Sequence, residues 1–191
     1  MKRFLLFVSI LFISFGVLTQ CADPAGKSVV EEDAIEAERQ RQEKEAKKVA
    51  RQNLLNSGVV VNLGLPSKTL WYVKNEGGDY ARYTYDEAVN KFGNKLPTKE
   101  QLEELKNQCI WIWMGSGYKV VGPNGNSIYL PAAGHRDYIG TVLYVGSNGY
   151  YWSSTPHWSS GFVYFLFFNS GEVDMNYNFS SLGRSVRLVQ D

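Results

Sequence analysis

The chain has 191 residues, 44% apolar, 20% charged and 14% aromatic, and its formal net charge is +1. That length accommodates one ordinary domain plus appendages, and the apolar fraction can fill a sizeable core. The near-neutral balance excludes a strongly basic nucleic-acid binder. Two cysteines are too few for a disulfide-built scaffold and, with two histidines, argue against a finger-type zinc site.

Met1-Lys2-Arg3 is a short positive segment ahead of an apolar run from Phe4 to Leu18. The run is short for a bilayer span, which needs about 20 residues, and suits a signal peptide over residues 1–20. Its end, Leu18-Thr19-Gln20-Cys21, resembles a bacterial lipobox, although Gln20 stands where Gly, Ala or Ser is usual. The resemblance implies lipidation of Cys21 and a membrane attached through the N-terminal lipid. Without residues 1–20 the net charge becomes −1, because Lys2 and Arg3 leave with no acid.

Residues 22–30 read as a flexible tether following the lipidated Cys21. From Glu31 to Asn56 there are seven acids, six bases, and no aromatic, Gly or Pro. Strong helix formers dominate, with opposite charges four residues apart at Arg39/Glu43, Arg41/Glu45 and Glu43/Lys47. Glu31, Glu32 and Asp33 are placed for the positive end of a helix dipole. Apolar positions are sparse, so residues 31–57 are expected to form a charged, solvated helical stalk that Gly58 ends.

Residues 58–191 carry no net charge and hold every aromatic after the leader. Thr84-Tyr85-Asp86-Glu87 is a capping box that opens one helix, and Thr98 with Gln101 opens a second. Leu102, Leu105 and Cys109 continue the second at helical spacing, which makes Cys109 a small buried hydrophobe. Beyond it the pattern is β. Tyr118–Val121 and Ser127–Leu130 flank an Asn124-Gly125 turn, and Tyr150–Ser153 is a short aromatic strand. Phe162–Phe168 is apolar on both faces, as a central strand would be. Val173, Met175 and Tyr177 alternate with Glu172, Asp174, Asn176 and Asn178, so the first set is expected inward. Ser185–Val189 reads as the last strand.

Seven segments in order carry a family likeness: Val61–Ser67, Thr69-Leu70-Trp71, Leu96-Pro97-Thr98, Gly122–Asn126, Leu130–Gly134, Tyr151–Thr155 and Gly183–Arg187. Together they resemble the Fibrobacter succinogenes major paralogous domain of surface lipoproteins in Bacteroides-type bacteria. The likeness implies an α+β, C-type-lectin-like domain over residues 58–191, with two helices, a small mixed or antiparallel sheet and long loops. It also implies an outer-membrane, lipid-anchored location. Formylglycine-generating enzymes are a wider relation, but they need a pair of copper-binding cysteines and this domain has Cys109 alone. The Glu-Pro-Asn, Gln-Pro-Asp and Trp-Asn-Asp triplets of calcium-dependent lectins are absent from the sequence, so the expectation is a domain without metal or cofactor.

Among other chemistries, Asp137 near His135, with His157 and Ser159 further on, invites a hydrolase reading, but no Gly-x-Ser-x-Gly elbow supports it. Glu172 and Asp174 share a strand face, where a solvated pair is the simpler account. No catalytic residue is therefore expected. The ligand-binding candidates are His135, Arg136, Tyr138, His157, Trp158, Asn176 and Asn178, in loops and strand ends rich in groups suited to broad, adaptable contact. The expected function is a non-enzymatic surface module binding a glycan or a protein. The alternatives are a structural part of a fimbria or surface layer, and a degenerate enzyme.

Overall fold

The computed structural model describes residues 24–191, with side chains from residue 31. The leader, Cys21 and the first residues of the tether lie outside the described residues. Helix α1 runs Pro24–Asn56, so residues 24–30 are helical and not a tether. Proline fits the first turn of a helix, where its missing N–H has no intrahelical partner, and the strong helix formers downstream propagate it. The early start moves Glu31, Glu32 and Asp33 out of the first turn. Glu36–Arg39 at 2.8 Å and Glu38–Arg41 at 3.3 Å pair one turn apart, and Arg39 also reaches Glu43 at 4.0 Å. Gly58 follows the end of α1 at φ +70°, and its N–H donates to Leu55 O. Among the described residues no helix is long and apolar enough to cross a membrane.

The contacts divide the chain into a unit ending at Lys47 and a unit spanning Lys48–Asp191. The second is a mixed α/β body of helices and small antiparallel sheets. Strands β1 (Val60–Asn62) and β2 (Leu70–Tyr72) pair with the terminal β11 (Val189–Gln190) in the order β1-β2-β11. Helices α2 (Tyr85–Phe92) and α3 (Lys99–Gln108) begin at complete capping boxes on Thr84/Glu87 and Thr98/Gln101. Strands β3 (Ile110–Trp113), β4 (Gly117–Val121) and β5 (Ser127–Pro131) form a meander, and β6 (His135–Arg136) and β7 (Val142–Leu143) a two-stranded ribbon. Strands β8 (Gly149–Pro156), β9 (Phe162–Asn169) and β10 (Glu172–Phe179) make the longest sheet, with β9 central.

Strand β9 is apolar on both faces because a core lies on each side of it. Leu166 and Phe168 join Trp71, Leu102, Leu105, Tyr118 and Tyr151 in one cluster, while Val163 and Phe165 join Ala88, Leu96, Trp152, Val186 and Leu188 in the other. Cys109 caps the end of α3, half-buried against the first cluster, and burial pushes its thiol up to about 11. Such a thiol stays protonated near neutrality and has little nucleophilic character.

The last strand is shorter than the sequence pattern suggests. Ser185 makes a single parallel bridge to Tyr151 and Arg184 an antiparallel one to Tyr83, so only residues 189–190 form a ladder. The side chain of Arg187 is fully buried behind them. It donates to Asn75 Oδ1 from Nε and Nη2 at 2.9 and 2.7 Å, and to the carbonyls of Tyr72, Val73 and Tyr129 at 2.8–3.0 Å.

Candidate functional site: an aromatic platform beside β9 and β10

The segment Trp152-Ser153-Ser154-Thr155 positions the site. Trp152 pairs with Phe165, but the next pair is Pro156 with Val163, so β8 carries extra residues there and bulges. The bulge is locked from three sides. Ser153 Oγ donates to Tyr164 O at 2.8 Å, Ser154 N–H donates to Pro97 O at 2.7 Å, and Thr155 Oγ1 accepts the Lys99 N–H at 3.0 Å. Bulges of this kind re-aim the side chains beside them. Here the chain leaving the bulge presents His157 and Trp158.

His157 is buried at 8% exposure, whereas Trp158 is 88% exposed. The imidazole stacks on Tyr177 at 4.0 Å with an interplanar angle of 13°, and its Nδ1 accepts the Ser159 N–H at 3.1 Å. Tyr164 meets His157 edge-on at 5.1 Å, Phe162 lies 4.6 Å from Phe179, and the Lys99 ammonium sits 4.6 Å from the Tyr164 ring. The result is an aromatic cluster topped by the exposed Trp158 indole, which lies tilted 4.9 Å from the His157 ring.

Tyr177 corrects the sequence reading. Alternation assigns it to the core, yet it is 49% exposed. Val173 and Met175 do pack on the first cluster, and Tyr177 continues the same side of β10 beyond the end of that core, onto His157. Asn176 is exposed and Asn178 half-buried. Asp174, Asn176 and Asn178 each use a side-chain oxygen to accept the N–H of the following residue at 2.8 Å. Those N–H groups belong to residues whose β9 partners leave them on the open side of the edge strand.

The remaining candidates form a second group. His135 stacks on Tyr144 at 5.8 Å and meets Tyr150 edge-on at 4.8 Å, while Tyr138 is almost fully exposed on the ribbon turn. Arg136 exchanges backbone hydrogen bonds with Gly183 at 2.8 Å, and its guanidinium reaches Glu87 at 3.7 Å. Asp137 Oδ1 accepts the N–H groups of Ile139 and Thr141, which occupies it in the turn and away from any triad. Among the described residues no group of three His, Cys, Asp or Glu side chains converges.

Burial lowers the His135 pKa, and Arg184 and Arg82 lower it further against an opposing pull from Asp137. A depressed histidine pKa means that the unfolded chain takes up a proton which the folded ring resists, so this contribution to stability is present at neutral pH and lost on acidification. The melting temperature should therefore fall more steeply between about pH 7 and pH 5 in the wild type than in His135→Gln. Parallel pH profiles for the two proteins would remove His135 as the cause.

Sequence reasoning finds His157 and Trp158 but misses Tyr177, Phe162 and Phe179 as their partners. The available signal is that the same side of β10 ends in two aromatics, Tyr177 and Phe179, after the aliphatic Val173 and Met175.

A family model described as a domain of unknown function (DUF8237) matches residues 97–189. The matched stretch runs from the residue before the α3 cap to β11 and contains the platform entirely. No curated protein and no solved structure matches the chain.

Proposed function

We propose that this is a lipid-anchored outer-membrane lipoprotein whose C-type-lectin-like domain binds a glycan on the His157–Trp158 platform, without catalysis. The observation that carries the reading is Trp158, 88% exposed two residues beyond the locked bulge of β8 and backed by the His157–Tyr177 stack. An exposed indole contributes little to folding, and its burial under a ligand is a gain still available on binding. Flat aromatic faces suit the apolar faces of sugar rings, and Tyr177 and Phe179 extend the contact area.

A glycan array with the soluble chain, followed by titration of the best binder, tests this. Trp158→Ala should weaken binding by more than about 1 kcal/mol while leaving the melting temperature nearly unchanged. A Trp158→Ala protein that binds normally would exclude the platform.

A second reading, assembly with a protein partner, is favoured by one further observation. Ile110 and Ile112 are exposed along the edge strand β3 and Met114 just after it, as are Tyr138 and Ile139 in the ribbon turn and Val142 in β7. Apolar side chains grouped in this way mark protein contacts more often than sugar contacts.

A further inference from the structure

A hollow of about 580 Å³ is lined by Arg82, Tyr83, Glu87, Asn90, Lys91 and Arg136. Three cations face one carboxylate there, and that carboxylate is already engaged. Glu87 Oε2 accepts the Thr84 N–H at 2.8 Å as half of the α2 capping box, and sits 3.7 Å from Arg136 Nη2. The Lys91 ammonium lies 5.2 Å from the Tyr83 ring centroid and has no carboxylate in that contact. Arg82 is fixed by its two Nη groups, which donate to the carbonyls of Tyr80 and Ala133, while its Nε is buried without a partner.

A further buried cation stands on the segment that pairs with Tyr83 and Arg136. Arg184 follows Gly183, the residue bridged to Arg136, and its own backbone pairs with Tyr83. It is 1% exposed, with Nε and Nη1 unpartnered, and it lies against the rings of Phe165 at 3.3 Å, Trp152 at 4.5 Å and Tyr150 at 5.3 Å. Buried cations are ordinarily paired. Arg82, Lys91 and Arg136 themselves line an open, sugar-sized hollow with an amide and a phenol ring on its wall.

We propose that this hollow binds the carboxylate or sulfate group of an acidic glycan, with Arg136 holding the oxyanion and Lys91 and the carbonyl-bound Arg82 adding charge. The proposal rests on the glycan reading above and goes beyond it: the hollow shares no residue with the platform and is a second site, for an acidic group. Planar guanidinium groups match such oxyanions through paired N–H donors.

The test is titration of the full chain in detergent micelles with tetragalacturonate, a heparin tetrasaccharide and neutral maltotetraose. At least one acidic probe should bind and weaken as salt is raised, and the neutral probe should not compete. The carboxylated and sulfated arms distinguish the two oxyanions. Arg136→Gln and Lys91→Gln, both on partly exposed side chains, should each weaken binding about tenfold with the melting temperature unchanged, the loss expected for one charge-assisted hydrogen bond or close ion pair. Acidic-probe binding that neutral maltotetraose competes away or that is indifferent to Arg136→Gln, or no binding of either acidic probe, would overturn the proposal. If Trp158→Ala abolishes binding of neutral glycans on the array while Arg136→Gln has no effect, the platform stands and the hollow falls.

Discussion

Replacing Arg187 by Met should lower the free energy of unfolding by about 3–5 kcal/mol, and replacing Arg184 by Met should change it by less than about 1 kcal/mol. Both residues are 1% exposed, so burial alone does not separate them. Their hydrogen bonds do. Arg187 makes five, to Asn75 and to three carbonyls that join the loop after β2 to β5, and methionine would leave those acceptors buried and unsatisfied. Arg184 leaves Nε and Nη1 without partners, burial pulls its pKa down to about 9, and a thioether of similar length would meet the same three rings. Urea unfolding of both variants decides the matter. A loss at Arg184 equal to that at Arg187 would mean that the ring contacts alone hold a buried cation as strongly as five hydrogen bonds.

Trp152→Ala should cost about 3–5 kcal/mol, as deletions of buried large aromatics do. The indole is fully buried at the point where β8 leaves its ladder, and its Nε1 donates to Tyr83 O at 2.8 Å. Its ring contacts Phe165 at 6.2 Å and Tyr85 at 6.0 Å and covers Arg184. Deleting it leaves a cavity and an uncovered guanidinium together, and leaves the Tyr83 carbonyl with the Arg184 N–H as its remaining donor. A loss below about 1 kcal/mol would show that the second core collapses around the gap.

How much the sequence discloses depends on the range of the interaction that decides each feature. Both capping boxes and the turn at Asn124-Gly125 lie within a few residues of the groups they satisfy, and all are where the pattern places them. Strand β3 escapes the pattern because it carries Trp111 and Trp113 on one side and Ile110 and Ile112 on the other, leaving no polar–apolar alternation to read. Tyr177 shows a subtler limit. Alternation reveals which side of β10 a residue takes, but how far the core extends along that side depends on Leu102, Leu105 and Phe168, which come from other elements. The cationic hollow is illegible for a related reason. Arg82 and Arg136 meet only because Gly183 bridges to one and Arg184 to the neighbour of the other.

The side-chain ladder along β10 bears on how this molecule tolerates crowding. An exposed strand edge is a template, and chains at high local concentration find each other's templates often. By turning Asp174, Asn176 and Asn178 back onto the N–H groups of Met175, Tyr177 and Phe179, the chain fills the very positions an incoming strand would need. Tyr177 and Phe179 on the same strand stay exposed, so β10 shows rings to solvent while its open edge has three donors fewer for a neighbouring strand.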